Sequence, residues 1–467
     1  MDSPLKVSVI VLTAVATVGV GFGGIQLYSH WNQVSVLNVS DESTDTGSLS
    51  YETRLAKGDK LLAETHYEEA VQEYQYAIEL DAQNAEGFMK LGSAQLALHQ
   101  NEAALENFKT AYTLSPSADS AAFYGHILMV SENWAEAQSI LGSIPEANQK
   151  LFYEKALFNV VQNHPDQAKI ELEAALQSSG PLLPATLQNF LTSYSTFEAA
   201  QGAENTYLEA LLCKSLVDAQ EYELASVLSK QVLTQKNDYR DVWMLLGYSK
   251  YKLEQYSDAE DAFRQAKKID SLKPEVHYFL GSTLKEEAKY SDAIDELELA
   301  LLYGFEPAEE AYKKIADGHE ALQEWADAVA AYEALLNLSP SSVSLFQKPI
   351  ELCLDQLKDQ DRALTLAQKA TSLFPSEALS HSLLAKVYLA QGKPELASSE
   401  IDIAFQIDSN FVLGHYLAGQ VREAQNNPEG ARWEYKKTFE LSSEDDPLHS
   451  QAAERYNALL PNPAPQQ

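Results

Sequence analysis

The chain has 467 residues, 45% of them apolar and 22% charged, a balance that argues against a disordered or fibrous protein. With 20 Gly and 17 Pro it is poor in helix breakers, which favours an all-α protein. The 68 acidic residues outnumber the 34 basic ones, and the net charge of −34 argues against sequence-independent nucleic-acid binding and docking on anionic lipid.

After a short segment, residues 1–6, an uncharged run beginning at Val7 and ending at Tyr28 predicts a single transmembrane helix over 7–28. A helix of that length spans roughly 33 Å, against about 30 Å of bilayer hydrocarbon. Tyr28, His30 and Trp31 then supply rings suited to the interface. Cleavage after Ala16 would leave an apolar new N-terminus, so the span is expected to stay as a signal-anchor. Lys6 precedes it and Asp41, Glu42 and Asp45 follow, which places the N-terminus in the cytoplasm and the remainder outside it. In a bacterium this means the inner membrane, with the body in the periplasm. Gly19 and Gly23 offer a small-residue face for weak self-association. Residues 29–50, rich in Ser, Thr and Asp, read as a flexible linker.

From residue 51 the chain repeats a small–aromatic–small pattern: Ala70, Tyr74, Ala77; Ala104, Phe108, Ala111; Ala259, Phe263, Ala266. Steps of four and three keep each trio on one helical face. The leading alanines are Ala70, Ala104, Ala137, Ala168, Ala225, Ala259, Ala293, Ala328, Ala363, Ala397 and Ala431, with one long step of 57 after Ala168. A small residue usually lies twelve positions upstream, as at Gly92, Gly247, Gly281 and Gly419, so an antiparallel helix can approach closely. Turns rich in Asn, Gly, Asp or Pro are expected between the two helices.

On these residues the chain resembles the tetratricopeptide repeat (TPR) family, most closely over 241–271, where Trp243, Leu246, Gly247, Tyr256, Ala259, Phe263 and Ala266 match the pattern. The resemblance implies a helix-turn-helix solenoid that binds protein partners. Four TPR-like units are expected over 51–180, an extra helix over 181–205, seven units over 206–445, a capping helix over 446–460 and a disordered tail over 461–467.

No catalytic motif appears, and neither an enzyme, a cofactor nor a metal is expected. Cys213 and Cys353 read as buried structural thiols. In TPR proteins the first helix of each unit lines the concave surface. Transfer of the family's positions gives a candidate partner-binding set of Met89, Leu96, Met129, Tyr153, Met244, Tyr248, Tyr251, Lys252, Tyr278 and Lys285. The family's carboxylate clamp for chaperone C-termini is disfavoured, because Leu55 and Asp59 stand where Lys and Asn are needed. The resemblance thus implies a non-enzymatic membrane-anchored scaffold in an envelope assembly, secretion or quality-control complex. An organelle import or chaperone receptor, or a secreted protein released by signal cleavage, are the alternatives. Between Glu275 and Glu333, fifteen acidic residues face only Lys285, Lys289, Lys313 and Lys314. A solvated outer face is the simplest account of that run, and docking of a basic partner is the other.

Overall fold

The computed structural model describes residues 49–180, 184–200, 205–338 and 340–460. The expected anchor with Gly19 and Gly23, most of the linker and the C-terminal tail lie outside the described residues. Among the described residues there are 24 α-helices and no strand. None of these helices is long and apolar enough to cross a membrane.

The helices form two compact units, one ending at Leu272 and the other beginning at Lys273. The first unit contains the helix pairs Tyr51–Ala63 with Tyr67–Leu80, Ala85–Ala97 with Asn101–Leu114, Ala118–Val130 with Trp134–Gly142, and Gln149–Val161 with Pro165–Gln177. A single helix, Pro184–Ala199, follows, and then the pairs Asn205–Asp218 with Tyr222–Gln235 and Arg240–Lys252 with Tyr256–Ile269. The second unit continues with Pro274–Glu286 and Tyr290–Leu302, Ala308–Ala321 and Trp325–Leu338, Gln347–Leu352 and Gln360–Leu373, Ala378–Ala390 and Pro394–Ile407, and Val412–Ala424 and Pro428–Leu441. Its last helix is Pro447–Ala458.

Local chemistry starts many of these helices. Ser50, Asn84, Ser117 and Asn148 each accept a backbone N–H from the first turn, and Pro165, Pro274, Pro394 and Pro428 occupy first-turn positions that need no donor. Within each pair the packing follows the repeated pattern. All eleven leading alanines are buried, and a β-carbon added at Gly92 would lie 2.7 Å from the Phe108 ring. At Gly247 the same atom would lie 2.6 Å from Phe263. Glycine is required there because the facing ring occupies the space of a side chain. A polar staple recurs across four pairs, always spanning nineteen residues: Arg54–Glu73, His277–Glu296, His381–Glu400 and His415–Glu434, each at 2.7 Å.

The turns between paired helices use a left-handed residue five positions before each leading alanine: Thr65, His99, Glu132, Asn163, Gln220, Glu254, Ala288, Gln323, Lys358, Gly392 and Asn426. Only Gly392 is a glycine, so the turns are less Gly-rich than the sequence reading expects. In ten pairs the next residue donates back to the carbonyl five positions earlier, as His66 does to Leu61 at 2.8 Å and Lys289 to Leu284 at 2.9 Å. This closure satisfies a terminal carbonyl of the first helix, whatever side chain stands at the turn. The ninth pair departs from it. Pro349 removes a backbone donor from its first helix, which winds through a wider π turn, Cys353–Leu357, before Asp359 donates to Cys353 at 2.9 Å. Because Ala288 holds φ near 58° without help from its side chain, Ala288→Gly should stabilise the second unit by about 0.5–1 kcal/mol. Urea unfolding read by Trp fluorescence checks this.

Cys213 and Cys353 are buried thiols. Burial pushes them up to about 12 and about 11, which leaves almost no nucleophilic thiolate near neutrality. Neither should react with iodoacetamide at pH 8 in the native protein, and both should react in guanidinium. Mass spectrometry of the alkylated chain counts them.

Candidate functional site

The first helices carry the candidate residues, but the two units place them in different surroundings. In Ala85–Ala97, Met89 and Leu96 are half-buried at the edge of the first unit's main apolar cluster. Lys90, beside Met89, reaches back to Asp59 at 2.8 Å, and the Tyr74 hydroxyl donates to the same carboxylate at 2.8 Å. Asp59 is therefore neutralised by its own chain.

Met129 and Tyr153 are completely buried. This corrects the expectation that they line an open groove. The helix Tyr222–Gln235 comes back against Ala118–Val130, and the Tyr153 hydroxyl donates to Glu221 at 2.8 Å across 68 residues of sequence. The single helix Pro184–Ala199 adds Phe190, edge-on to Tyr153 at 6.4 Å, and its Tyr194 hydroxyl donates to the Pro165 carbonyl at 2.6 Å. The inner face of the third and fourth pairs is thus filled by the chain itself.

A buried polar cluster accompanies this closure. His126 Nδ1 lies 3.0 Å from a carboxylate oxygen of Glu154, which is fully buried. Burial alone would lower the His126 pKa, but the carboxylates of Glu154, Glu221 and Glu223 together outweigh it and raise the group to about 10. The Glu221 pKa also rises: burial pushes it up to about 7 against the pull of His126. Sequence reasoning missed His126, Glu154 and Glu221, and no local pattern marks them, since their partners are distant in the chain.

The helix Arg240–Lys252 presents a different surface. Met244 is buried, which corrects its expected place on the binding surface, whereas Tyr248 and Tyr251 are half-buried and Lys252 is exposed. Tyr248 is braced edge-on by Tyr222 at 6.2 Å, with the Lys252 ammonium 5.5 Å from its ring centre. Tyr251 meets Tyr256 edge-on at 5.7 Å. Two rings and a cation are therefore held in fixed orientation while part of each faces outward, an arrangement suited to gripping a peptide.

In the second unit Tyr278 is buried, stacked on Phe305 at 4.0 Å, and its hydroxyl donates to Glu310 at 2.6 Å. That makes it a packing residue, which corrects its expected role as an outward anchor. Lys285 is partly exposed and pairs with Asp317 at 3.3 Å. Cross-repeat pairs of this kind recur at Lys348–Glu320 and Lys386–Glu351, both 2.9 Å, so these cations already have carboxylate partners. Among the described residues one group with metal-ligand chemistry converges, His319, Glu324 and Asp327, within 4.8 Å. It is partly solvated, and its His–Glu contact of 2.8 Å is a hydrogen bond across the turn between the two helices of the eighth pair.

Residues 58–98 match a model described as TPR repeat, and residues 241–271 match one described as tetratricopeptide repeat. Both segments are thus similar to TPR repeats. No curated protein matches the chain in sequence. The fold resembles the C-terminal part of a TPR repeat-containing protein from Cytophaga hutchinsonii (15% identity, TM-score 0.43, 53% of this chain and 98% of that one). It also resembles yeast Tom70 (14%, 0.31, 88% and 95%) and the Cut9–Hcn1 hetero-tetramer of the APC/C (13%, 0.31, 88% and 97%). These TM-scores are too low to add to what the helix pairs themselves show.

Proposed function

We propose that this chain is a non-enzymatic scaffold that captures protein partners through the outward part of its first helices, with Tyr248, Tyr251 and Lys252 as the principal contact. The supporting observation is the braced, half-exposed tyrosine pair on Arg240–Lys252. Rigid aromatic side chains contribute area at low entropic cost and dominate many protein interfaces. Met89 and Leu96 add an adaptable apolar margin in the same unit, and Lys285 offers a polar contact in the second. Met129, Tyr153, Met244 and Tyr278 are buried and serve packing rather than contact.

The apolar segment 7–28 would hold this scaffold on a membrane, with weak self-association through Gly19 and Gly23. On this reading the repeats face the periplasm of a bacterium, within an envelope assembly, secretion or quality-control complex. Asp59 speaks against the chaperone-receptor alternative, since it occupies the clamp position and is already paired with Lys90. Replacement of both Tyr248 and Tyr251 by alanine should weaken partner binding at least thirtyfold, corresponding to about 2 kcal/mol. Melting should be little changed. Co-purification from native membranes followed by quantitative mass spectrometry measures the loss, and retention of the same partners at wild-type levels would refute the assignment.

A further inference from the structure

The acidic stretch between Glu275 and Glu333 has a counterpart in the second unit that the inner-face reading does not use. The second helix Tyr290–Leu302 and both helices of the next pair enclose an open trough of about 520 Å3, within the range of ligand sites. Its lining is mixed: Leu301, Leu302, Ile315 and Ala330 supply aliphatic surface, and Tyr312 and His319 supply polar groups beside it. Leu302 is 74% exposed, the most exposed of the chain's large apolar side chains among the described residues. Glu298 and Asp327 stand in the same lining, and it contains no Lys or Arg. A solvated outer face explains scattered carboxylates, but it does not explain the exposed Leu302 beside Leu301 and Ile315 in a trough flanked by them.

We infer that this trough is a second docking site, taking a peptide segment of a partner protein in which a leucine-like anchor is flanked by arginine or lysine. Leu301, Leu302 and Ile315 would cover the anchor. Glu298 and Asp327 would pair with the cations beside it, and complementary charge would speed encounter and exclude acidic peptides. The acidic rim equally turns away anionic lipid.

The test uses the full chain and a fluorescein-labelled peptide, GRLLRRLLRG, followed by anisotropy. Two controls accompany it: GRSSRRSSRG, with the same charge, and GELLEELLEG, with the same anchors. The first peptide should bind at least tenfold more tightly than either control, and its affinity should fall with added salt. Ala330→Trp, which fills the trough from an exposed position, and Asp327→Asn should each weaken it at least tenfold. Tyr248→Ala with Tyr251→Ala should leave it unchanged, which separates this site from the inner-face contact. Equal binding of the serine peptide would reduce the effect to bulk charge and overturn the proposal. So would undiminished binding by both trough variants. A chain that sediments as a dimer, and as a monomer after Ala330→Trp, would assign the trough to a second copy and likewise overturn it.

Discussion

Phe108→Ala is expected to destabilise the first unit by about 3–5 kcal/mol, the usual range for emptying a large buried ring site. The ring is fully buried, lies over Gly92, and stacks on Phe123 of the next pair at 5.2 Å. Its loss therefore opens a cavity within one pair and removes a contact between two. Gly92→Val should cost about 1–3 kcal/mol for the opposite reason, overpacking, because the new β-carbon would meet the ring at 2.7 Å. The two changes share one space, so the double variant should be less destabilised than the sum of the singles. Urea unfolding followed by Trp134 and Trp243 fluorescence gives the cycle. Strict additivity would show that the glycine and the ring do not complement each other.

This contact belongs to the part of the fold that is legible in the sequence. Phe108 and Gly92 recur as Phe263 and Gly247, and Ala104 as Ala259, because every pair solves the same packing problem with the same spacing. The left-handed turn residues are less legible. Their conformation is imposed by how the first helix ends, so Thr65, Glu254 and Ala288 serve where a sequence reader looks for glycine. The inner face is legible only where nothing returns to cover it. Family position puts Met129 and Tyr153 on the same footing as Tyr248 and Tyr251. What distinguishes them is the return of Glu221 and the helix Tyr222–Gln235 onto the third and fourth pairs, after the interruption by Pro184–Ala199. A contact spanning 68 residues leaves no periodic trace.

The second large effect comes from the buried polar cluster that accompanies this contact, where His126 meets Glu154. His126→Ala should cost about 3–5 kcal/mol, because it leaves the fully buried Glu154 carboxylate without its cation. The pH dependence has a definite sign. The folded His126 pKa, about 10, lies above the ordinary 6.5, so its stabilisation is complete below pH 6.5 and is lost as the pH rises towards 10. Glu221, pushed up from 4.5 to about 7, also contributes most at low pH and loses that contribution as the pH rises through 7. Both groups make the first unit less stable at pH 9 than at pH 5. His126→Ala should flatten the alkaline part of that decline, and Glu221→Gln the part between pH 5 and 7. Urea midpoints at pH 5, 7 and 9 for the three proteins decide it. A wild-type midpoint that rises from pH 5 to 9 would contradict the assignment.

A self-filled inner face also limits where partners can bind. Within the first unit, the covered third and fourth pairs become a support, and the sixth pair presents the braced rings. Under the proposed scaffold role, partner selection would then rest on a few outward side chains.

The most direct measurement places a photoactivatable benzoylphenylalanine at single positions of the chain in cells of its own host. Tyr251 and Lys252 should yield discrete crosslinked partners after illumination, whereas Tyr153, closed off by Glu221, should yield none. Crosslinks at Tyr153 with silence at Tyr251 and Lys252 would contradict the account and show that the buried face of the third and fourth pairs is the one that opens to partners.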